Sequence, residues 1–255
     1  VTGDLAEVTT IVGPDADAHV YTPNAADAKS VANAEIIFVN GLGFETWSQT
    51  LIETSSSKAK LFIATDGITP LKVDGEIDPH AWNSLVNGMQ YVANIAVSMA
   101  EIDPKNAVVY KAKASAYNRR LKNVNNRALD QLERLTAGQR IVVTSHDAFG
   151  YFGRAYGLEV MAVQGISTES QAGIKKIERL VDTLVDRNIG AVFFETTVSK
   201  RNVLALKEGA AARNHSVGIG GAIFSDAMGT KGHYTGTYIG MFDHNVTSIV
   251  RALGG

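Results

Sequence analysis

Short apolar runs alternate with longer amphipathic stretches along most of the chain. Apolar runs of this length predict buried strands, and the amphipathic stretches between them predict helices, a pattern typical of βα units that feed a mainly parallel sheet. We therefore predict an α/β fold. The candidate strands are Glu7 to Val12, Glu35 to Asn40, Lys60 to Ala64, Arg140 to Thr144, Leu158 to Ala162, Ala191 to Glu195 and Val217 to Gly220.

A long stretch between two groups of strands, residues 83–136, contains no strand candidate. From Pro104 onward apolar residues recur at steps of mostly three or four, with charged residues between them, which predicts one long helix. Asp103 is the candidate N-cap, Pro104 suits a first helical turn, and Gly138 follows the last periodic residue as a stop signal. The periodic positions are Tyr110, Tyr117, Leu121, Val124, Ala128, Leu132 and Leu135.

The predicted helix divides the chain. About 30 helical residues span roughly 45 Å, as much as a small domain is wide, so the helix can act as a stiff spine between two lobes. We place an N-terminal lobe at residues 1–103, a linking helix at 104–137 and a C-terminal lobe at 138–255. Periodicity alone leaves open the alternative of one continuous sheet packed on a long helix.

Composition narrows the class of protein. The 255 residues are 45% hydrophobic and 20% charged, enough for one large core or two smaller ones. The net charge of -2 gives no basic surplus for nucleic acid or anionic lipid, and no apolar run approaches the ~18 residues of a membrane span. Because there are no cysteines, a metal site here would use His, Asp, Glu or backbone oxygen.

Three of the six histidines lie in loops beside predicted strands or helices. They are His19 within residues 17–23, His80 within 78–83 and His146 within 144–150. Loops at the carboxyl ends of strands converge in open α/β sheets, and neutral imidazole is the commonest metal ligand. Taken alone, each histidine is better explained as a loop residue hydrogen-bonded to backbone than as a metal ligand.

Asp226 is a fourth candidate, in a loop after the strand Val217 to Gly220. Its sequence, Ser225-Asp226 shortly before Gly229, is also ordinary turn chemistry. Three imidazole nitrogens and one carboxylate oxygen would complete a closed tetrahedron around zinc, the coordination of a site that holds an ion rather than one that processes substrate.

These motifs resemble those of the metal-binding, solute-binding proteins of bacterial zinc and manganese ABC importers, a group (cluster A-I or cluster 9) that includes the streptococcal lipoprotein adhesins. The resemblance covers nearly the whole chain. It is carried by Val12-Gly13-Pro14-Asp15, His19-Val20-Tyr21-Thr22-Pro23, Asp78-Pro79-His80-Ala81-Trp82, Thr144-Ser145-His146-Asp147-Ala148-Phe149-Gly150-Tyr151-Phe152 and Ser225-Asp226.

The resemblance implies two βα lobes with mainly parallel sheets, joined by one long rigid helix, and a metal site in the cleft between them. His19 and His80 would come from the first lobe, and His146 and Asp226 from the second. Manganese-type members typically have glutamate at the third position. His146 at that position favours Zn²⁺, since imidazole suits zinc whereas manganese prefers carboxylate and water.

The implied function is high-affinity zinc binding and delivery of zinc to the membrane permease of an ABC importer, by a monomer with no catalytic residues and no nucleic-acid partner. A periplasmic metallochaperone is a further candidate partner. The implied location is the periplasm, or a lipid anchor outside the inner membrane, with any signal peptide outside this sequence. The alternatives are a manganese importer component or an adhesin of the same family.

A zinc hydrolase, with Glu195 as general base, is the rival class; the lack of a His-Glu-x-x-His pair disfavours it. Under the carrier hypothesis, Glu195 instead orients a ligand imidazole from the end of its strand.

His233 is a lesser candidate for metal handling. The segment from Asp66 to Asp78 is short and contains no histidine, whereas many zinc-type relatives carry a long His- and Asp-rich loop between the first two ligands.

Overall fold

The computed structural model describes residues 1–254, which form two compact units. The first unit comprises Val1–Gly13 and Ala18–Asn125, and the second comprises Pro14–Asp17 and the chain from Asn126 onward. Their boundary falls within the long helix α4, Ala107–Leu132.

The first unit contains three complete helices and four strands. Strands β1 and β2 pair in parallel, from Ile36 with Lys60 to Val39 with Ile63. In chain order the elements are α1 Ala25–Asn33, β1 Ile36–Val39, α2 Ser48–Thr54, β2 Lys60–Ile63, β3 Leu71–Val73, β4 Glu76–Asp78, α3 Leu85–Ile102 and the first part of α4. Its core includes Val31, Leu51, Leu85, Val92, Met99, Tyr110 and Leu121.

The hairpin of β3 and β4 was not predicted. Asp74 and Gly75 form its turn, with φ of 51° and 90°. Two successive left-handed residues with the sequence Asp-Gly are the usual signature of a tight β-hairpin. The hairpin ends at Asp78, two residues before His80.

The second unit continues from the end of α4 with two parallel strand pairs, β5 with β6 and β7 with β8. Its elements are β5 Ile141–Thr144, α5 Gly150–Tyr156, β6 Glu159–Ala162, α6 Ile174–Asp186, β7 Ala191–Glu195, α7 Arg201–Ala211, β8 Gly218–Ile223 and α8 Tyr238–Gly254. Strands β5 and β7 and helices α6 and α7 supply most of one core, with Val143, Val181, Leu184, Val192, Val203 and Leu206.

The predicted α/β class with mainly parallel strands is confirmed: three of the four strand pairs in residues 1–254 are parallel. One strand prediction is wrong, because Glu7 to Val12 is irregular chain. Val8 is 71% exposed, and strand pairing in the described part of the first unit is confined to β1–β2 and β3–β4. A short apolar run forms a strand only when a neighbouring strand pairs with its backbone N–H and C=O groups.

The long helix is shorter than its periodicity predicted. A 3-10 turn, Pro104–Asn106, precedes it, and it ends at Leu132, before Gly138. Asp103 makes no side-chain cap; its carboxylate accepts hydrogen bonds from Asn106 Nδ2 (2.6 Å) and the Tyr110 hydroxyl (2.8 Å). None of the helices within residues 1–254 is long and apolar enough to cross a membrane.

Candidate metal centre

In the first unit, His19 and His80 form one pair of candidate ligands, the first pair. His19 lies in irregular chain before α1, and His80 lies between β4 and the 3-10 turn Ala81–Asn83. Both are buried, at 6% and 0% exposure, and their Nε2 atoms lie 3.1 Å apart. The fold therefore brings together two residues that are 61 positions apart in sequence.

Asp78 fixes the orientation of His80. Its buried Oδ1 accepts the backbone N–H of His80 (2.9 Å) and contacts the ring Nδ1 of the same residue (2.8 Å). A ring nitrogen that donates to a carboxylate leaves the other nitrogen with its lone pair available for a metal. The sequence motif contained Asp78, but its role was not predicted, although an aspartate two residues before a ligand histidine is a readable signal.

Aromatic rings surround the first pair. The Phe44 ring lies 4.8 Å from His19 and 5.9 Å from His80, both edge to face, and 4.7 Å from Trp82. Trp82 in turn lies 5.3 Å from His80. Trp82 and Phe44 thus line the first pair. Phe44 was missed because nothing in its local sequence marks it.

In the second unit, His146 and Asp226 form the second pair. His146 follows β5 and Asp226 follows β8, so both lie at the carboxyl ends of parallel strands. His146 Nε2 and Asp226 Oδ2 are 3.2 Å apart, and both side chains are fully buried. Strand-end convergence thus accounts for this pair.

Glu195, the last residue of β7, binds His146 at two points. Its Oε1 accepts the His146 backbone N–H (2.8 Å), and its Oε2 makes a short contact with the ring Nδ1. This is the orienting role predicted for Glu195. Burial lowers the pKa of His146, but the charges and hydrogen bonds of Asp226 and Glu195 outweigh it and raise the pKa well above the ordinary histidine value.

Helix α8 holds the Asp226 loop. The buried Asn245 accepts from the Phe224 N–H through Oδ1 (2.9 Å) and donates to the Phe224 carbonyl through Nδ2 (2.7 Å). One amide side chain thereby satisfies both backbone groups of a residue two positions before Asp226. Sequence reasoning missed Asn245, because a single asparagine in an amphipathic helix carries no local signal.

The other histidines have different surroundings. His215 Nε2 contacts the carbonyl of Ile189 (2.8 Å), and His244 Nε2 contacts that of Ala222 (2.8 Å). His233 is exposed and lines an open cavity of about 250 Å³ in the second unit, together with Asp15, Thr196, Phe224, Gly229, Thr230 and Thr235.

Each pair has a donor spacing that allows both of its atoms to bind one metal ion. Ligand atoms at about 2.0–2.1 Å from a tetrahedral zinc lie about 3.4 Å from one another. The first pair, at 3.1 Å, and the second pair, at 3.2 Å, are both close to this distance. Both pairs are also buried. In each pair one histidine contacts a carboxylate through Nδ1, the ring nitrogen opposite its candidate ligand atom, as is usual for metal-binding histidines.

Comparison with known proteins gives matches over nearly the entire chain. The family model described as ZnuA, zinc-uptake complex component A, periplasmic, matches residues 1–252. The manganese-binding lipoprotein MntA of Bacillus subtilis is 34% identical over 256 residues, covering 98% of this chain and 84% of that protein. The zinc-binding protein TroA of Treponema pallidum is 36% identical over 248 residues, covering 95% and 80%.

A solved structure, the periplasmic zinc-binding protein TroA from Treponema pallidum, superposes with a TM-score of 0.91. The two chains are 35% identical, and the superposition covers 95% of this chain and 89% of that one. The relatives of similar identity thus bind different metals, since one is named for manganese and the other for zinc.

Proposed function

Because the chain belongs to the ZnuA family, the metal-binding, substrate-binding proteins of ABC transporters, we propose that it captures Zn²⁺ and delivers it to the permease of an ABC importer. Members of this family are binding proteins and not enzymes, which answers the hydrolase alternative. In this proposal zinc is cargo. The proposed ligands are His19, His80, His146 and Asp226.

The observation that carries the proposal is the form of the two ligand pairs. Each unit contains two buried donor atoms, spaced at 3.1 Å or 3.2 Å, which is half of a tetrahedral shell. One ion that takes both pairs would have three nitrogens and one oxygen, with no position left for substrate. We propose this closed shell, with lobes at residues 1–103 and 138–255 and a linking helix at 104–137.

Ligand chemistry supports zinc over manganese. Three neutral imidazoles suit zinc, while manganese prefers harder, oxygen-rich shells. His146 favours zinc over manganese in this comparison, because it would supply the third nitrogen ligand. Manganese transport is the second candidate, and the specific observation that favours it is the 34% identity with a manganese-binding lipoprotein.

The location and partners follow from the same family. Relatives are named as periplasmic proteins or as lipoproteins. We propose that this chain works outside the inner membrane, in the periplasm or on a lipid anchor, as a monomer that docks on its permease.

The proposal is tested by elemental analysis of the purified protein, together with His146→Ala and Asp226→Ala variants. We expect one equivalent of zinc in the parent, and loss or weakening of binding in both variants. His215→Ala is the matched control, since that imidazole contacts the Ile189 carbonyl and belongs to neither pair. It should retain one equivalent.

Titration of the metal-free protein with zinc and manganese in competition completes the test. Preference for manganese would assign the second candidate. Full zinc retention without Asp226 would remove that residue from the shell, and two equivalents of zinc would mean that the two pairs bind separate ions.

A further inference from the structure

A segment that follows β1, Asn40 to Trp47, contacts both loops that carry the first pair. Asn40 Nδ2 donates to the carbonyl of Pro79 (3.0 Å), and Trp47 Nε1 donates to the carbonyl of Ala18 (2.8 Å). Each of these carbonyls belongs to the residue immediately before a ligand histidine. The two ends of one short segment therefore hold the backbone at both ligands.

The middle of the segment contacts the ligand rings themselves. Phe44 is 8% exposed, and its ring is edge to face with His19 at 4.8 Å and with His80 at 5.9 Å. The Nε2 atoms of those rings face each other at 3.1 Å. Phe44 thus packs against both imidazoles of the first pair, which are themselves buried.

The backbone that presents Phe44 is unusual. Gly41, Leu42 and Gly43 all have positive φ, at 83°, 57° and 82°. A side chain at Gly41 would come within 2.6 Å of Ile63, so glycine is required there. Three successive left-handed residues, one of which is a leucine, persist only where the surroundings enforce them.

The side chain of Glu45 holds this backbone conformation in place. Its Oε1 accepts the N–H of Asn40 (2.5 Å) and its Oε2 accepts the N–H of Gly41 (3.2 Å), which closes the turn around Phe44. The Phe44 N–H also bonds to the Gly41 carbonyl (3.1 Å). The carboxylate therefore fixes the turn from which the Phe44 ring projects.

We propose that residues 40–47 form a positioning clamp that sets both Nε2 atoms of the first pair before metal arrives. Phe44 and Glu45 touch no metal in this scheme; they act through His19 and His80. The proposal deepens the proposed function and rests on it. In this proposal the segment determines how long zinc stays bound, and this effect is separate from its contribution to the stability of the fold.

The physical reason is conformational entropy. An imidazole that must be ordered when the ion binds loses rotamer freedom at that step, whereas a prearranged ligand does not. Freeing two imidazoles lowers affinity about 10-fold or more on this basis. The loss should appear mainly as faster dissociation, as most affinity changes within one system do.

The first test compares Phe44→Ala with Leu121→Ala, a truncation at a fully buried position of α4, outside the clamp and outside the loops that carry the first pair. Both variants should lose thermal stability in the metal-free form. We expect zinc to dissociate about 10-fold faster only from Phe44→Ala. Phe44→Leu, which restores apolar volume, should recover most of the difference. Equal dissociation rates in the two alanine variants would overturn the proposal.

A second measurement needs no metal. In the metal-free parent, NMR cross-peaks between the rings of His19 and His80, whose centroids are 5.2 Å apart, should be strong. They should weaken in Phe44→Ala and persist in Leu121→Ala. Unchanged cross-peaks in Phe44→Ala would contradict the clamp. Because this readout needs no bound ion, it remains valid if the proposed zinc cargo is wrong.

A double-mutant cycle tests the route of action. If Glu45 works by placing Phe44, Glu45→Gln should speed zinc dissociation in the parent and have little further effect in Phe44→Ala. Fully additive effects would show that Glu45 acts independently of Phe44, and would overturn this part of the clamp.

Discussion

The carboxylate of Glu195 engages His146 twice, at the backbone N–H through Oε1 (2.8 Å) and at the ring Nδ1 through Oε2. Asp78 engages His80 at the same two groups through a single oxygen. Two candidate ligands in separate units are thus oriented in the same way. In each case the carboxylate sets the direction of the ring and leaves Nε2 as the metal-binding atom.

Replacing Glu195 should therefore weaken zinc binding although Glu195 is not a proposed ligand. For Glu195→Gln we expect about 10- to 100-fold loss of affinity, the usual effect of removing a partner that orients a ligand histidine. Competition with a zinc chelator measures it. Glu159→Gln is the control, because Glu159 sits on the surface of the same unit and pairs with Arg187. An unchanged affinity in Glu195→Gln would contradict the orienting role.

The proposed ligands and Glu195 could be singled out from the sequence because they follow strands or stand in recognisable motifs. The hairpin before His80 was also predictable, since Asp74-Gly75 is a strong local turn signal. Phe44 was not predictable, because its partners His19 and His80 are far away in sequence and its own neighbourhood gives no sign of them.

The false strand at Glu7 to Val12 has a related cause. Its short apolar run is a local property of the sequence, whereas a strand depends on a partner elsewhere in the chain. The end of α4 at Leu132 is a smaller case of the same kind, since the periodic apolar positions continue to Leu135 while the helical hydrogen bonds stop earlier. Periodicity reports burial, which can extend past the end of a helix.

Acid should oppose zinc binding through His146. Its pKa is raised above the unfolded value of about 6.5, because Asp226 and Glu195 outweigh the effect of burial. Below that raised pKa the metal-free protein carries a proton on His146, which zinc must displace. We expect calorimetry in buffers of different ionisation enthalpy to detect release of about one proton from this residue.

Glu195→Gln supplies the control for this proton, since it removes one of the charges that raise the pKa of His146. Proton release at neutral pH should fall in the variant. The raised pKa of His146 also sets the direction in which the stability of the metal-free protein changes with pH. The raised pKa stabilises the metal-free protein fully below pH ~6.5 and loses this contribution as pH rises through the folded-state pKa. Stability of the metal-free form that increases with pH in this range would contradict the assignment.

Asn245 should matter for stability as well as for binding. Truncation in Asn245→Ala leaves the buried N–H and carbonyl of Phe224 without the two bonds they make now. We expect a loss of about 2–4 kcal/mol in the free energy of unfolding, from two buried polar groups at about 1–2 kcal/mol each. Urea denaturation of the metal-free protein measures it. Asn123→Ala, at an exposed position of α4, is the control and should lose no stability, because alanine is a good helix former.

Removal of metal should make the chain around Asp226 and His233 more mobile. The effect should not extend upstream to Phe224. The residues from Ser225 to His233 lie between β8 and the 3-10 turn Tyr234–Gly236, and the loop would lose its metal anchor when Asp226 is released. The two bonds between Phe224 and Asn245 involve no proposed ligand, so we expect them to persist in both states. Hydrogen exchange in the metal-free protein should therefore be faster at residues 225–233 than in the zinc-bound protein, and unchanged at Phe224 and within β8. Equal protection of residues 225–233 in both states, or faster exchange that extends into β8, would show that Asp226 does not anchor this loop through the metal.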